Sequence, residues 1–103
     1  MGLFSLFGGG TEAVSIDEYL EKEAVVIDVR TEPEFFEGHV EGSKNIPLHL
    51  IAEKISEIKK MDKPIITCCR SGARSGSAAS ILKHHGIDAI NGGPWQNVAG
   101  YIK

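Results

Sequence analysis

The segment that most constrains this chain is a short apolar run that leads directly into a pair of cysteines. Residues 65–68 read Ile-Ile-Thr-Cys, and such a run predicts a strand buried on both faces of a parallel sheet. Cys69 follows, and residues 70–75 then read Arg-Ser-Gly-Ala-Arg-Ser. A helix rich in small residues is predicted over about 73–85. The pattern therefore places a cysteine in the turn between a buried strand and a helix.

A cysteine in such a turn is expected to be a nucleophile. Backbone N–H groups of loop 70–75 and of the helix N-terminus point at one place, and both favour negative charge there. Gly72 lets the backbone turn inward without a clash from a side chain. We therefore expect the Cys69 thiol to have a lowered pKa and to react as a thiolate. The alternative is an inert thiol buried at the end of a strand.

The remaining segments alternate between strand-like and helix-like patterns. Ser-x-x-Glu at Ser15 and Thr-x-x-Glu at Thr31 predict two helix starts, and an apolar stripe predicts a helix over about 48–60. Further strands are predicted at 24–29, 44–46 and 88–90, and a terminal helical turn at 94–100. This alternation predicts an α/β fold with a small central parallel sheet flanked by helices on both faces. Ligands of such sheets bind beyond the carboxyl ends of the strands, where Asp28 and Cys69 are both placed.

The length of 103 residues fits one small domain. Residues 1–11 are apolar and glycine-rich, and we expect a flexible arm there, followed by a domain over residues 12–103. No apolar run approaches the ~20 residues of a transmembrane helix, and no secretory signal is predicted. The two cysteines are adjacent and cannot staple a fold, which indicates a reducing compartment and an expected cytoplasmic location.

The charges are divided unevenly along the chain. Residues 1–41 carry ten acids and two bases, a net charge of −8, whereas residues 42–103 carry four acids and nine bases, a net charge of +5. The cysteine loop lies in the positive part, which suits an anionic substrate. No basic run interleaved with aromatic residues indicates nucleic-acid binding. The four histidines have no ligand spacing with the cysteines, so no metal site is predicted.

Four short motifs together resemble the rhodanese family of sulfurtransferases. Loop 69–75 resembles the family's active-site loop, and residues 28–30, Asp-Val-Arg, resemble a motif at the end of an early strand. Residues 34–47 resemble the signature that follows it, from Glu-Phe through Gly-His-Val-Glu-Gly-Ser to Asn-Ile-Pro. Residues 92–95, Gly-Gly-Pro-Trp, resemble the closing motif, one residue tighter than expected. The four motifs follow the family's order and span about residues 12–99.

The resemblance implies a single rhodanese-like domain that needs no cofactor. Cys69 would take the outer sulfur of a small anionic donor such as thiosulfate and become a persulfide. Cyanide or a thiol, including that of a protein, would then accept the sulfur in a second step. The alternative is a sulfur carrier that delivers persulfide sulfur to a protein partner and uses free thiosulfate poorly. Four residues separate Cys69 from Arg74, which resembles the sulfurtransferase loop, since related phosphatases have a loop one residue longer.

The predicted site is centred on Cys69. Its substrate-binding residues are Arg70, Ser71, Gly72, Ala73, Arg74 and Ser75. Arg70 is expected either to attract the sulfonate or carboxylate of a donor at the mouth of the site or to be a solvated surface arginine. Arg74 lies in the first turn of the helix, where a cation opposes the dipole, so its expected partner is the substrate or Asp28. Ser71 is a candidate donor to a substrate oxygen.

Three residues outside the loop are predicted to support the site. Asp28 and Arg30 end a buried strand, and their acidic surroundings predict structural ion pairing. Trp95 is expected to wall the pocket or to pack in the core. Cys68 is expected to be a small core residue, with a role as redox partner of Cys69 as the alternative.

Overall fold

The computed structural model of the chain describes residues 13–102, and the predicted arm at residues 1–11 lies outside them. The elements in chain order are α1 (Ala13–Glu21), β1 (Val25–Asp28), α2 (Glu32–Glu37), β2 (Lys44–Asn45), a 3₁₀ helix (Leu48–Lys54), α3 (Ile55–Met61), β3 (Ile65–Cys69), α4 (Ala73–His84), β4 (Ala89–Pro94) and α5 (Trp95–Ala99). No helix within this described part is long and apolar enough to cross a membrane.

The four strands form one parallel sheet in the order β2-β1-β3-β4. All of their carboxyl ends therefore lie along the same edge, as the apolar runs predicted. Asp28 of β1 is in register with Cys68 of β3, and Thr67 of β3 is in register with Asn91 of β4. The register shifts between Thr67 and Cys69, so that Cys69 pairs with Pro94. This irregularity lies where β3 runs into the cysteine loop.

Apolar side chains cover both faces of the sheet. Ile27, Ile65 and Cys69 pack on one face with residues of the 3₁₀ helix, α3 and α4. Val26, Ile66, Cys68 and Ile90 pack on the other face with residues of α1 and α5. Because side chains alternate along a strand, the two neighbouring cysteines point to opposite faces. The predicted fold, a small parallel sheet with helices on both faces, is confirmed.

Two predicted helices differ in detail from the structure. Ser15 does not cap α1, because the helix begins two residues earlier, at Ala13. The predicted helix over 48–60 is a 3₁₀ helix followed by an α-helix. An apolar spacing of three or four residues fits either type of helix, and Ile51 and Ile58 are buried as the stripe predicted.

Candidate active site

The sulfur of Cys69 lies where the N–H groups of the loop converge. The backbone N–H of Gly72 donates to Cys69 Sγ at 3.0 Å, and the backbone N–H of Ser75 donates to it at 3.3 Å. The Ser75 hydroxyl is also 3.3 Å from the sulfur. Cys69 ends β3 and Ser75 lies in the first turn of α4, so the strand and the helix bring these groups together. The arrangement favours a negative charge on the sulfur.

These contacts lower the pKa of the Cys69 thiol. Burial of the side chain acts in the opposite direction and would raise the pKa. The hydrogen bonds from the Ser75 hydroxyl and from the N–H groups of Ser75, Gly72 and Ser71 outweigh it, so the pKa lies below its ordinary value. Cys69 is thus buried and yet stabilised as a thiolate.

Cys68 has the opposite surroundings. It is fully buried on the other face of the sheet, where burial raises the pKa of its thiol, and the neighbouring Asp28 carboxylate raises it further. Both cysteines are free thiols. A thiol that stays protonated among apolar side chains fits the predicted packing role of Cys68.

Gly72 shapes the loop. Its φ of 105° is in the left-handed region, and a Cβ at this position would lie 3.4 Å from Gly93 Cα. The positive φ favours glycine, as predicted, whereas 3.4 Å is an ordinary van der Waals distance. Three other predicted loop residues, Arg70, Ser71 and Ala73, are exposed on the outer side of the loop. The Ser71 hydroxyl accepts a hydrogen bond from the Ala73 N–H at 3.4 Å.

Arg74 pairs with Glu34, and the prediction that Asp28 is its protein partner is wrong. The two terminal guanidinium nitrogens of Arg74, Nη1 and Nη2, donate to the two carboxylate oxygens of Glu34 at 2.9 and 3.1 Å. Arg74 holds the pKa of Glu34 at about 2, below its ordinary value of 4.5. Asp28 is not the partner because its carboxylate already accepts hydrogen bonds from Arg30.

Asp28 and Arg30 form a buried ion pair under Trp95. The shortest distance of the pair is 2.7 Å, and the Arg30 side chain also donates to the Gly38 carbonyl at 2.6 Å. The bond to Asp28 raises the pKa of Arg30. The Arg30 guanidinium carbon lies 5.1 Å from the centre of the Trp95 ring, within range of a cation–π contact. The pair fits the predicted structural role, because it fixes both the chain at Gly38 and the indole.

A cleft of about 220 Å³ opens at the carboxyl edge of the sheet. It is lined by Arg30, Glu34, Glu37, Gly38, Arg70, Trp95 and Gln96. The structure thus brings together Arg70, Arg30 and Trp95 from the predicted set, whereas Cys69 is not among the lining residues and its side chain is fully buried. A larger cleft lies near Ile58 and Asp88, at the opposite edge of the sheet and away from both cysteines.

Sequence reasoning missed one residue next to the candidate nucleophile. Asn91 of β4 accepts a hydrogen bond from the Ser75 hydroxyl at 2.6 Å and donates one to the Gly72 carbonyl at 3.1 Å. The sequence carries a signal for it, because Asn91 is a polar residue inside the buried run Ala-Ile-Asn-Gly-Gly. Within residues 13–102, no group of three or more His, Cys, Asp or Glu side chains is arranged to hold a metal ion.

Comparisons with known proteins agree with this geometry. The model of the rhodanese-like domain family matches residues 12–97. An uncharacterised protein of Bacillus subtilis, YqhL, is 41% identical over 67% of this chain and 54% of its own length. A protein of Allochromatium vinosum named sulfurtransferase is 37% identical over 67% of this chain and 64% of its own length. The chain thus covers little more than half to about two thirds of these two relatives.

A solved structure described as a rhodanese with anions from E. coli superposes on this fold with a TM-score of 0.64. It is 33% identical in sequence, and the match covers 74% of this chain and 92% of that one. The family match extends over most of the described residues and includes the cysteine loop and the ion pair at the end of β1. The chain belongs to the rhodanese-like domain family.

Proposed function

We propose that this chain is a sulfurtransferase that moves a sulfane sulfur from a donor such as thiosulfate to a thiophilic acceptor through a persulfide on Cys69. The observation that carries the proposal is the pair of backbone N–H donors, from Gly72 and Ser75, that point at the Cys69 sulfur at 3.0 and 3.3 Å. These donors stabilise a thiolate, which is the form of cysteine that attacks sulfur. The similarity to a protein named sulfurtransferase supports the same reaction.

In the first step, the Cys69 thiolate attacks the outer sulfur of thiosulfate. A new S–S bond forms between Sγ and that sulfur, and the S–S bond of thiosulfate breaks. Sulfite leaves with the electron pair of the broken bond, and the enzyme keeps a persulfide that carries one negative charge. The N–H donors and the dipole at the start of α4 favour this anion as they favour the thiolate.

In the second step, a nucleophilic acceptor attacks the outer sulfur of the persulfide. With cyanide, a C–S bond forms, the S–S bond breaks, and thiocyanate leaves while Cys69 returns as a thiolate. The two half-reactions use the same sulfur atom in turn, so the kinetics should be ping-pong.

Arg70 is the proposed attractor of an anionic donor. Arg30 and Arg74, the other two arginines at this edge, are each bound to a carboxylate. Within residues 13–102, Arg70 has no carboxylate within 4.0 Å, and it lines the cleft that opens beside the loop. The cleft of about 220 Å³ is smaller than the ~300 Å³ at which pockets for larger organic ligands begin, which suits a donor of a few atoms.

The shape of the loop favours sulfur transfer over phosphate chemistry. Only four residues separate Cys69 from Arg74, and the Arg74 guanidinium is engaged by both oxygens of Glu34. A phosphoryl group needs several donors around three oxygens, whereas a single sulfur needs fewer. We therefore propose the smaller group as the cargo.

A protein acceptor is the second candidate, in which the domain acts as a sulfur carrier. One observation favours it: Phe36 of α2 is 76% exposed, between Glu34 and Glu37, which both line the cleft. An exposed aromatic ring on a helix that lines a site is an anchor that a partner can cover. A small acceptor such as cyanide does not need to contact this ring.

The proposal is tested by the intact mass of the protein after incubation with thiosulfate. We expect a gain of one sulfur atom that cyanide removes again, and the same gain in the Cys68→Ala variant. Cys69→Ser is the matched control and should gain nothing. No gain in the wild type, or an equal gain in Cys69→Ser, would contradict the proposal.

The two candidate acceptors are separated by a second variant, Phe36→Ser. If small molecules are the acceptors, Phe36→Ser should react with cyanide at the wild-type rate and should supply sulfur to an acceptor as the wild type does. If the domain is a carrier, the wild type and the variant should both take up sulfur normally from a persulfide donor and turn over thiosulfate poorly. Only Phe36→Ser should then fail to deliver the sulfur to the protein acceptor.

A further inference from the structure

Asn91 connects the cysteine loop to the last strand of the sheet. Its side-chain oxygen accepts hydrogen bonds from the Ser75 hydroxyl at 2.6 Å and from the Gly93 N–H at 2.9 Å. Its amide nitrogen donates to the Gly72 carbonyl at 3.1 Å. Rotating the amide by half a turn would place a donor against the Gly93 N–H and an acceptor against the Gly72 carbonyl, so the orientation is fixed by its backbone partners. The residue is 6% exposed.

Through these bonds, Asn91 holds two of the residues whose N–H groups point at Cys69. Gly72 carries one donor and is bound through its carbonyl, and Ser75 carries the other and is bound through its hydroxyl. The carbonyl of Ser75 also accepts a hydrogen bond from the Thr67 hydroxyl at 2.8 Å. The loop therefore has little freedom to move its donors away from the sulfur.

The direction of the hydroxyl proton follows from the acceptor on Asn91. Ser75 has one hydroxyl proton, and it is donated to Asn91 Oδ1. When Cys69 is a thiol, its proton is therefore the one shared with the Ser75 oxygen across the 3.3 Å contact. When this proton leaves to water, the Ser75 hydroxyl can turn to donate to the thiolate, and Asn91 Oδ1 keeps the N–H of Gly93. Both protonation states of Cys69 are hydrogen-bonded in this arrangement.

The helix makes room for the amide. A Cβ at Gly76, in α4, would lie 3.2 Å from Asn91 Nδ2, which is closer than ordinary van der Waals contact. Alanine is otherwise preferred to glycine inside a helix. The glycine at this position is thus explained by the space that the Asn91 side chain occupies.

We propose that Asn91 is a positioning residue for the reaction of Cys69, and that it acts by holding the Gly72 carbonyl so that the Gly72 N–H points at the sulfur. The inference rests on the proposed function in one respect, that Cys69 is the group that reacts. It adds a residue of β4 that holds groups which contact the sulfur.

The experiment follows the ultraviolet absorbance of the Cys69 thiolate against pH in a Cys68→Ala background, where Cys69 is the one remaining cysteine. Asn91→Ala should raise the pKa of Cys69 by about one unit, because the Gly72 N–H loses its anchor, and the freed Ser75 hydroxyl offsets only part of this rise. One unit is a tenfold loss of thiolate at pH values below the pKa. Single-turnover persulfide formation should slow by the same factor at neutral pH and recover at high pH. A merely structural role of Asn91 would not produce recovery with pH.

Asn97→Ala is the matched control. Asn97 of α5 donates to the carbonyl of Gly92, the residue after Asn91, at 3.2 Å, but it is not among the hydrogen-bond partners of Gly72, Ser75 or Cys69. Its removal should leave the Cys69 titration unchanged. Gly76→Ala is the second variant, because it keeps Asn91 and displaces its amide while favouring the helix. It should shift the titration in the same direction by a smaller amount.

An unchanged Cys69 titration in folded Asn91→Ala would overturn the proposal, and so would an equal shift in Asn97→Ala. If Asn91→Ala does not fold, the Gly76→Ala titration decides, and no shift there overturns the proposal. Failure of the proposed function is a different result. In that case the wild type would take up no sulfur from thiosulfate, while its thiolate titration would still depend on Asn91.

Discussion

At the carboxyl edge of the sheet, the two faces surround two cysteines with opposite chemical environments. On one face, Cys68 lies beside Asp28 and Arg30, which form an ion pair, and the Trp95 indole packs against the Arg30 guanidinium. On the other face, Cys69 lies against N–H donors at the start of a helix, and the nearby ion pair of Arg74 with Glu34 is partly exposed. The two cysteines are adjacent in sequence and share full burial.

Burial alone does not decide whether a thiol is inert. Burial opposes ionisation at both cysteines. Only Cys69 receives hydrogen bonds that stabilise its charged form, because the strand ends there and the chain turns into α4. Cys68 is therefore interpreted as structural, and Cys69 as the thiol at which chemistry is proposed.

The largest expected effect is on turnover. Cys69→Ser should abolish sulfur transfer, because a hydroxyl at this position stays protonated and cannot carry the sulfane sulfur. Cys68→Ala should retain most of the wild-type rate, since the thiol of Cys68 packs on the face of the sheet opposite to Cys69. Initial rates with thiosulfate and cyanide measure both. If Cys68→Ala is the inactive variant, the assignment of the two faces is reversed.

The next effect is on stability, from the buried ion pair of the first face. Arg30→Met should lower the free energy of unfolding by about 3–5 kcal/mol, because it leaves the Asp28 carboxylate buried without its cation. Denaturant unfolding measures the loss. The matched control is Arg74→Met, at the partly exposed pair, where the expected loss is at most ~1 kcal/mol. Equal losses would remove the contrast between the faces.

The smallest effect is the pH dependence of the exposed pair. Because the pKa of Glu34 is lowered from 4.5 to about 2, the pair stabilises the fold above pH about 4.5, and this contribution is lost as the pH falls towards 2. The difference in unfolding free energy between the wild type and Arg74→Met should therefore be largest at neutral pH and shrink in acid. A difference that grows in acid would show that Arg74 does not act through Glu34.

Much of the fold follows from local sequence patterns. The continuous apolar runs at Val25 and Ile65 predict strands covered on both faces, and the parallel sheet follows from their alternation with helices. The start of α2 is predicted by the Thr31 pattern, and the Glu34 side chain accepts a hydrogen bond from the Thr31 N–H. The same pattern fails at Ser15, because a Ser-x-x-Glu spacing also occurs inside a helix that has already begun.

The site is predicted less completely, because it depends on contacts between distant segments. The position of Cys69 and the turn at Gly72 are local features, and the loop sequence contains them. The partner of Arg74 is 40 residues away on another helix, and the partner of Ser75 is 16 residues away on a strand. Neither follows from periodicity, since only the sheet order and the register bring these segments together.

The central claim is that the turn into α4 makes a thiolate of Cys69 and leaves its neighbour a thiol. The most direct test is the thiolate titration of two single-cysteine proteins, Cys68→Ala and Cys69→Ala. We expect the pKa of Cys69 to lie below the ~8.5 of a free cysteine and that of Cys68 to lie well above it. A Cys69 pKa at or above that of free cysteine, or a lower pKa for Cys68 than for Cys69, would contradict the account.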